Sequence, residues 1–295
     1  MKISICDKGI LYSYLRELGY SGLDISFNRF NERDYILNNE YTEYIKRKFE
    51  EITKAGLNVS QTHLTYYPGH LKPIGNGTYQ EFEDYMLPMF IKEIELTKMM
   101  NCKVCVIHLY FEKDKLASRE GNIKLISKMI PYAERNNVVI AIENIYGNDY
   151  NDVHLTTKDD LLFYIEYFKS KFLGVCLDTG HSIVLKQNPV KLFEELKEHI
   201  VALHLHTTVE NVDLHAIPYT VSYCESIEWD TLYKLILSSN YSGTLNFELR
   251  PPDNLSEGAK KAYYMFAYET AKTIIDNYVQ REKAYRFTTR STEEE

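Results

Sequence analysis

The chain has no long apolar run. Without a stretch of about 18 uninterrupted apolar residues, nothing in it reads as a bilayer-spanning helix. Met1-Lys-Ile-Ser-Ile-Cys6 enters a strand pattern at once, with no basic segment, apolar core and small-residue cleavage site ahead of it, so a cytoplasmic location is expected. Cysteine is sparse and irregular. Cys6, Cys102, Cys105, Cys176 and Cys224 form no disulfide framework, and Cys102-Lys-Val-Cys105 opens an apolar strand with no second pair to complete a zinc or redox site. A basic surplus is also missing. The formal net charge of -8 opposes a general phosphate-binding surface, which disfavours nucleic acid as a partner. No Pro/Gly/Ser-rich linker interrupts the chain, so no internal domain boundary is placed. Only tyrosine is in excess, at 25 residues; its faces and hydroxyls suit a sugar pocket, but a compositional bias of the gene accounts for the count as well.

What is present is a repeated ending. Short apolar runs such as Val104-Cys-Val-Ile-His108, Val138-Val-Ile-Ala-Ile-Glu143, Gly174-Val-Cys-Leu-Asp178, Val201-Ala-Leu-His204 and Thr244-Leu-Asn-Phe-Glu248 read as buried strands. Each closes on a residue able to bind a metal, and His63 closes a sixth. Segments with helical spacing lie between them: Ile10, Leu11, Tyr14, Leu15 and Leu18 after the first strand; Ile45, Phe49 and Ile52 after the second; Phe82, Met86, Met89 and Phe90 after the third. With the early strands near Ile3–Cys6 and Gly22–Phe27, the alternation reaches eight strand and helix pairs, the count that closes a (β/α)8 TIM barrel. The fold class is therefore α/β with one domain, residues 1–286, followed by a frayed acidic tail over residues 287–295.

In such a barrel the strand C-termini share one rim. Glu143, Asp178, His204 and Glu248 then offer three carboxylates and an imidazole, a donor set suited to one divalent ion: Mn²⁺, Mg²⁺ or Co²⁺, with Zn²⁺ admitted by the imidazole. His181 lies where the loop after Asp178 bends over the mouth and is a candidate for holding a substrate hydroxyl. Asp213 and His215, two apart in a long loop, can face one way or simply bond each other. His63 and His108 are candidate site residues or capped core histidines. His206 receives no role.

Gln61-Thr-His63, Ile142-Glu-Asn144, Cys176-Leu-Asp-Thr-Gly-His181, Leu203-His-Leu-His206, Asp213-Leu-His215 and Phe247-Glu248 resemble the xylose isomerase-like barrel superfamily of sugar phosphate isomerases and epimerases, over about residues 3–250. The resemblance to its ketose epimerases implies a metal held by Glu143, Asp178, His204 and Glu248, acid–base catalysis by Glu143 and Glu248 through an enediolate, and contact between His181 and the sugar. The partner implied is a small sugar or sugar phosphate, with a homo-oligomer expected by the same resemblance and no membrane. The chain departs from that pattern at Ile217-Pro-Tyr-Thr-Val-Ser-Tyr, where the family has Pro-Gly-x-Gly. It departs again at Glu210, which replaces an arginine, and at Asp149, which replaces a substrate-binding glutamate.

Endonuclease IV, of the same superfamily, supplies the rival expectation of a three-zinc phosphodiesterase acting on abasic DNA. Its nine ligand positions find matching types in His63, His108, Glu143, Asp178, His181, His204, Asp213, His215 and Glu248. Against it stand the acidic charge, Leu109-Tyr-Phe in place of Pro-Gly-Ser, and Thr207-Thr in place of Asn-Asp.

Overall fold

A computed structural model describes residues 1–28, 32–66, 78–110, 114–146, 155, 157–209, 212–221 and 228–292. Eight strands form one sheet: β1 (Ile3–Cys6), β2 (Gly22–Ser26), β3 (Asn58–His63), β4 (Val104–Ile107), β5 (Val139–Glu143), β6 (Leu173–Asp178), β7 (Ile200–His204) and, after a β8–β9 hairpin (Thr207–Val209 and Val212–Ala216), β10 (Leu245–Phe247). All neighbouring pairs in the order β10-β1-β2-β3-β4-β5-β6-β7 are parallel. The Leu205 N–H donates to the Asn246 carbonyl at 2.8 Å, and Leu205 bridges Phe247 in parallel, which joins the two ends of the sheet. The eightfold alternation expected from the sequence is the TIM barrel observed.

The helices follow in chain order: α1 (Tyr12–Leu18), α2 (Arg33–Ile36), α3 (Asn39–Lys54), α4 (Tyr79–Met99), α5 (Lys115–Asn136), α6 (Lys158–Phe168), α7 (Thr179–Val184), α8 (Pro189–Leu196), α9 (Trp229–Ser238) and α10 (Glu257–Thr292). Side chains alternate along each strand with a period of two. Ile5, Leu23, Ile25, Ile107, Ile140, Ile142, Val175, Leu177 and Leu203 belong to the large core under the helices. At about 25 cal/mol per Å² of apolar surface, each stabilises the fold by roughly 1.5–3 kcal/mol. Val106, Ala141, Cys176 and Ala202 alternate with them and form a separate small cluster inside the barrel. Two residues beyond these four come His108, Glu143, Asp178 and His204, so the period that buries the small interior residues also aims the polar ones at the rim.

One detail differs from the sequence reading. Helix α1 starts at Tyr12, and Leu11 is its uncapped N-cap residue, 68 % exposed, because it precedes the first turn and misses the buried face. Helix α10 runs from Glu257 to Thr292, and residues 293–295 of the expected tail lie outside the described residues. No helix among the described residues is long and apolar enough to cross a membrane. The four described cysteines, Cys6, Cys102, Cys105 and Cys176, are free and buried, and burial pushes the Cys102 thiol up to about 12, which removes it from thiolate chemistry.

Candidate metal centre at the barrel mouth

Glu143, the last residue of β5, is the hub. Its Oε2 lies 3.1 Å from His63 Nε2 and 2.9 Å from His108 Nε2. Its Oε1 lies 3.1 Å from His204 Nδ1 and 3.2 Å from His181 Nδ1. Burial alone would raise its pKa, yet the imidazoles of His204, His108 and His181 hold it well below the usual carboxylate range. Glu248, one residue past β10, faces the same nitrogen of His204 at 3.2 Å; burial opposes ionisation there too, but His204 and His215 bring it down to about 2. In return His204 and His181 are raised well above an ordinary imidazole, against the desolvation that would lower them.

Asn144 explains why Asp178 arrives in register. Its side-chain oxygen accepts the Asp178 N–H at 2.7 Å and its amide donates to the Asp178 carbonyl at 2.9 Å, which locks the end of β6 to the end of β5. Asp178 then caps α7, its Oδ1 accepting the His181 N–H at 2.6 Å. The His181 ring Nδ1 sits 2.8 Å from the Asn144 carbonyl, so this loop is held from both sides.

Asp213 and His215 lie two apart on β9 and share a face, as their spacing suggested. His215 Nε2 is 2.7 Å from Asp213 Oδ2, and His181 Nε2 is 3.9 Å from the same oxygen. Burial opposes ionisation of Asp213, but its bond from His215 and the charges of His206 and His181 hold it below the usual range. The bond within the hairpin is therefore made, and it also joins the larger cluster.

All nine candidate positions converge on this mouth. The structure adds two buried residues that sequence reasoning missed. His206, which the sequence gives no role, lies two residues past the end of β7, yet it is fully buried, its Nε2 is 3.0 Å from Asp178 Oδ2, and its ring stacks on His215 at 4.3 Å between centroids. The signal was available, since residues i and i+2 of a strand share a face. Asp24, mid-strand in β2, lies 3.3 Å from His204 Nε2 through its Oδ2. A charge inside an otherwise apolar strand was its only sign. Asp149 and Glu210 lie outside the described residues.

The donor set fits a cation. One ligand atom each from Glu143, Asp178, His204 and Glu248 lies within 4.8 Å of the others, and the groups His63–Glu143–His204 and His206–His215–Glu248 meet the same limit. The proton inventory agrees. His63 Nδ1 is 2.7 Å from the Leu64 carbonyl and must donate there, which leaves a bare Nε2 facing Glu143 unless a proton or a metal ion lies between them. Among the described residues no lysine or arginine pairs with these carboxylates; their ion pairs are all to histidines.

A closed parallel barrel with a histidine–carboxylate centre on the C-terminal rim defines the class. Residues 12–265 match the family described as the xylose isomerase-like TIM barrel, and the chain belongs to it. The uncharacterized protein y4fM of Sinorhizobium fredii (strain NBRC 101917 / NGR234) is 25 % identical over 297 residues, 90 % of this chain and 88 % of that one. Among solved structures, a D-tagatose 3-epimerase-like protein superimposes with a TM-score of 0.71 at 17 % identity, covering 96 % of this chain and 100 % of that one. The 3-keto-D-glucoside 4-epimerase YcjR from E. coli gives 0.69 at 16 % identity, over 92 % and 99 %. An L-ribulose 3-epimerase gives 0.68 at 16 % identity, over 97 % and 98 %.

Proposed function

We propose that this protein is a divalent-metal-dependent isomerase or epimerase of a small sugar or sugar phosphate. The observation that carries the reading is the meeting of Glu143, Asp178, His204 and Glu248 within one coordination distance on the barrel rim, in a fold shared with a D-tagatose 3-epimerase-like protein and an L-ribulose 3-epimerase. An ion held by these four residues would polarise a carbonyl and its neighbouring hydroxyl, acidifying the C–H between them. Glu143 and Glu248 approach that point from strands three steps apart in the barrel, and both are held ionised by the surrounding imidazoles. One of them takes the C–H proton to give an enediolate; the other, ionised at rest, first takes up a proton from a neighbouring imidazolium or solvent and then delivers it to the opposite face or to the adjacent carbon.

His181, His63, His108, Asp213 and His215 surround this pair and supply donors and acceptors for the sugar hydroxyls. Tyr66, 5.5 Å from the His108 ring, and Tyr146, 5.0 Å from the His181 ring, add aromatic faces of the kind against which a sugar ring packs. The test is exchange of a substrate C–H for deuterium. Free and phosphorylated ketoses are incubated in deuterated water with Mn²⁺, Mg²⁺, Co²⁺ or Zn²⁺ added separately, and at least one combination should exchange. Glu143→Gln and Glu248→Gln should each lower that rate by about 10²–10⁴-fold. Undiminished exchange in either variant removes that glutamate from the chemistry.

A second reading has its own observation. His63 and His108 converge on Glu143 Oε2 at 3.1 and 2.9 Å, the arrangement a second ion would use, and His181, Asp213 and His215 gather as a third group. An endonuclease IV-like phosphodiesterase would hold about three zinc ions and cleave abasic DNA. Zinc stoichiometry near three together with that cleavage selects it over the sugar reading.

A further inference from the structure

Beneath the centre, the barrel interior is apolar on one side and polar on the other. Val106, Ala141, Cys176 and Ala202 line the first. Ser4, Asp24, Gln61 and Asn246, all buried, line the second. The polar groups form one connected set. Asp24 Oδ2 accepts from Gln61 Nε2 at 3.0 Å and from Asn246 Nδ2 at 3.0 Å, while Ser4 Oγ donates to Asn246 Oδ1 at 2.9 Å. Side chains from β10, β1, β2 and β3 thus converge on a single carboxylate.

A carboxylate this deep needs a compensating positive charge. Among the described residues the ion pair Asp24 makes is with His204, whose Nε2 lies 3.3 Å from Oδ2. The two groups form an ion pair and not a hydrogen bond, and among the described residues His204 Nε2 and Asp24 Oδ1 are both buried without a hydrogen-bond partner. On the opposite side of the same ring, Nδ1 lies 3.1 Å from Glu143 Oε1 and 3.2 Å from Glu248 Oε2. One imidazole therefore spans a buried, amide-braced carboxylate below and the candidate metal centre above.

We propose that Asp24 is the positioning residue of that centre. It acts as acceptor for the Nε2–H of His204, fixes the tautomer whose lone pair is on Nδ1, and directs that lone pair at the space between Glu143 and Glu248. Histidines that bind metal commonly give their other ring N–H to a carboxylate, which sets the ring orientation and raises its basicity. Gln61 and Asn246 serve the same end one step further out, holding the accepting oxygen still. This inference rests on the metal-centre reading above.

The test uses the whole chain, freed of metal and titrated with Co²⁺, followed by visible absorption. Asp24→Asn is expected to bind Co²⁺ about 10–100-fold more weakly than wild type and with altered absorption bands. Asp24→Glu is expected to recover part of the affinity. A purely structural Asp24 would instead lower the melting temperature of the metal-free protein while leaving Co²⁺ affinity and bands as in wild type, and that result overturns the proposal. Should the variants fail to fold, imidazole ¹⁵N shifts of Zn²⁺-loaded wild type decide: a protonated Nε2 and coordinated Nδ1 on His204 are expected, and the reverse assignment overturns it. Failure of the wild type to bind either ion is a separate outcome, visible before any variant is made, which removes the metal reading and Asp24's role together.

Discussion

Most of the ionisable side chains at the mouth are spoken for by one another, but Glu93 is buried apart from them on α4. Its carboxyl accepts the Thr65 N–H at 2.9 Å and the Thr65 hydroxyl at 2.6 Å, which pins the chain two residues past His63. Burial pushes its pKa up to about 7 even though both bonds favour the charged form. A carboxyl raised in the folded state contributes stability that is complete below its unfolded value near 4.5 and lost as pH rises through 7, roughly 3 kcal/mol at 1.36 kcal/mol per unit. Wild type should therefore gain stability over Glu93→Gln as pH falls from 8 to 5, measured by urea denaturation of both proteins. An unchanging difference across that range contradicts the buried-acid account. Glu93 was not legible in the sequence, where it is one acidic residue among several in an amphipathic helix, and only packing against Thr65 distinguishes it.

At the level of elements, the join between β6 and α7 does two jobs with one side chain. Asp178 caps α7 and also supplies a carboxylate to the centre. Asp178→Asn preserves an acceptor for the His181 N–H, so its melting temperature should stay near wild type while Co²⁺ affinity falls at least tenfold; Asp178→Ala should lose about 1 kcal/mol of cap as well. Equal metal binding in Asp178→Asn and wild type would take Asp178 out of the coordination set. The same join needs Gly180, since a Cβ there would sit 1.8 Å from His206 Cε1. Gly180→Ala should destabilise by about 1–3 kcal/mol in chemical denaturation, because His206 is stacked on His215 and has no free space to enter. A neutral effect would show that His206 can leave its site.

For the molecule as a whole, the centre concentrates buried carboxylates and imidazoles at one end of the barrel, and an ion that binds only the folded state stabilises it by mass action. A free metal concentration 1,000 times Kd contributes about 4 kcal/mol, so chelation should lower the melting temperature and re-addition of Mn²⁺ or Co²⁺ should restore it. A melting temperature indifferent to chelator and metal contradicts a metal centre at this rim. Elemental analysis of the dialysed protein supplies the stoichiometry, about one ion for the sugar reading and about three zinc ions for the phosphodiesterase.

The sequence alone determined the barrel and the rim. Eight alternations of strand and helix allow few other closures, and a period of two sends Glu143, Asp178 and His204 inward once Ala141, Cys176 and Ala202 face inward. Tertiary structure decided which nitrogen faces which oxygen, because that follows from the bridge between Leu205 and Phe247 and from the register of neighbouring strands. It also decided that Asp24 and His206 belong to the centre. A charged residue in a strand looks alike in sequence whether it meets solvent or an imidazole across the barrel, and only closure brings β2 and β7 within 3.3 Å of each other at Asp24 and His204.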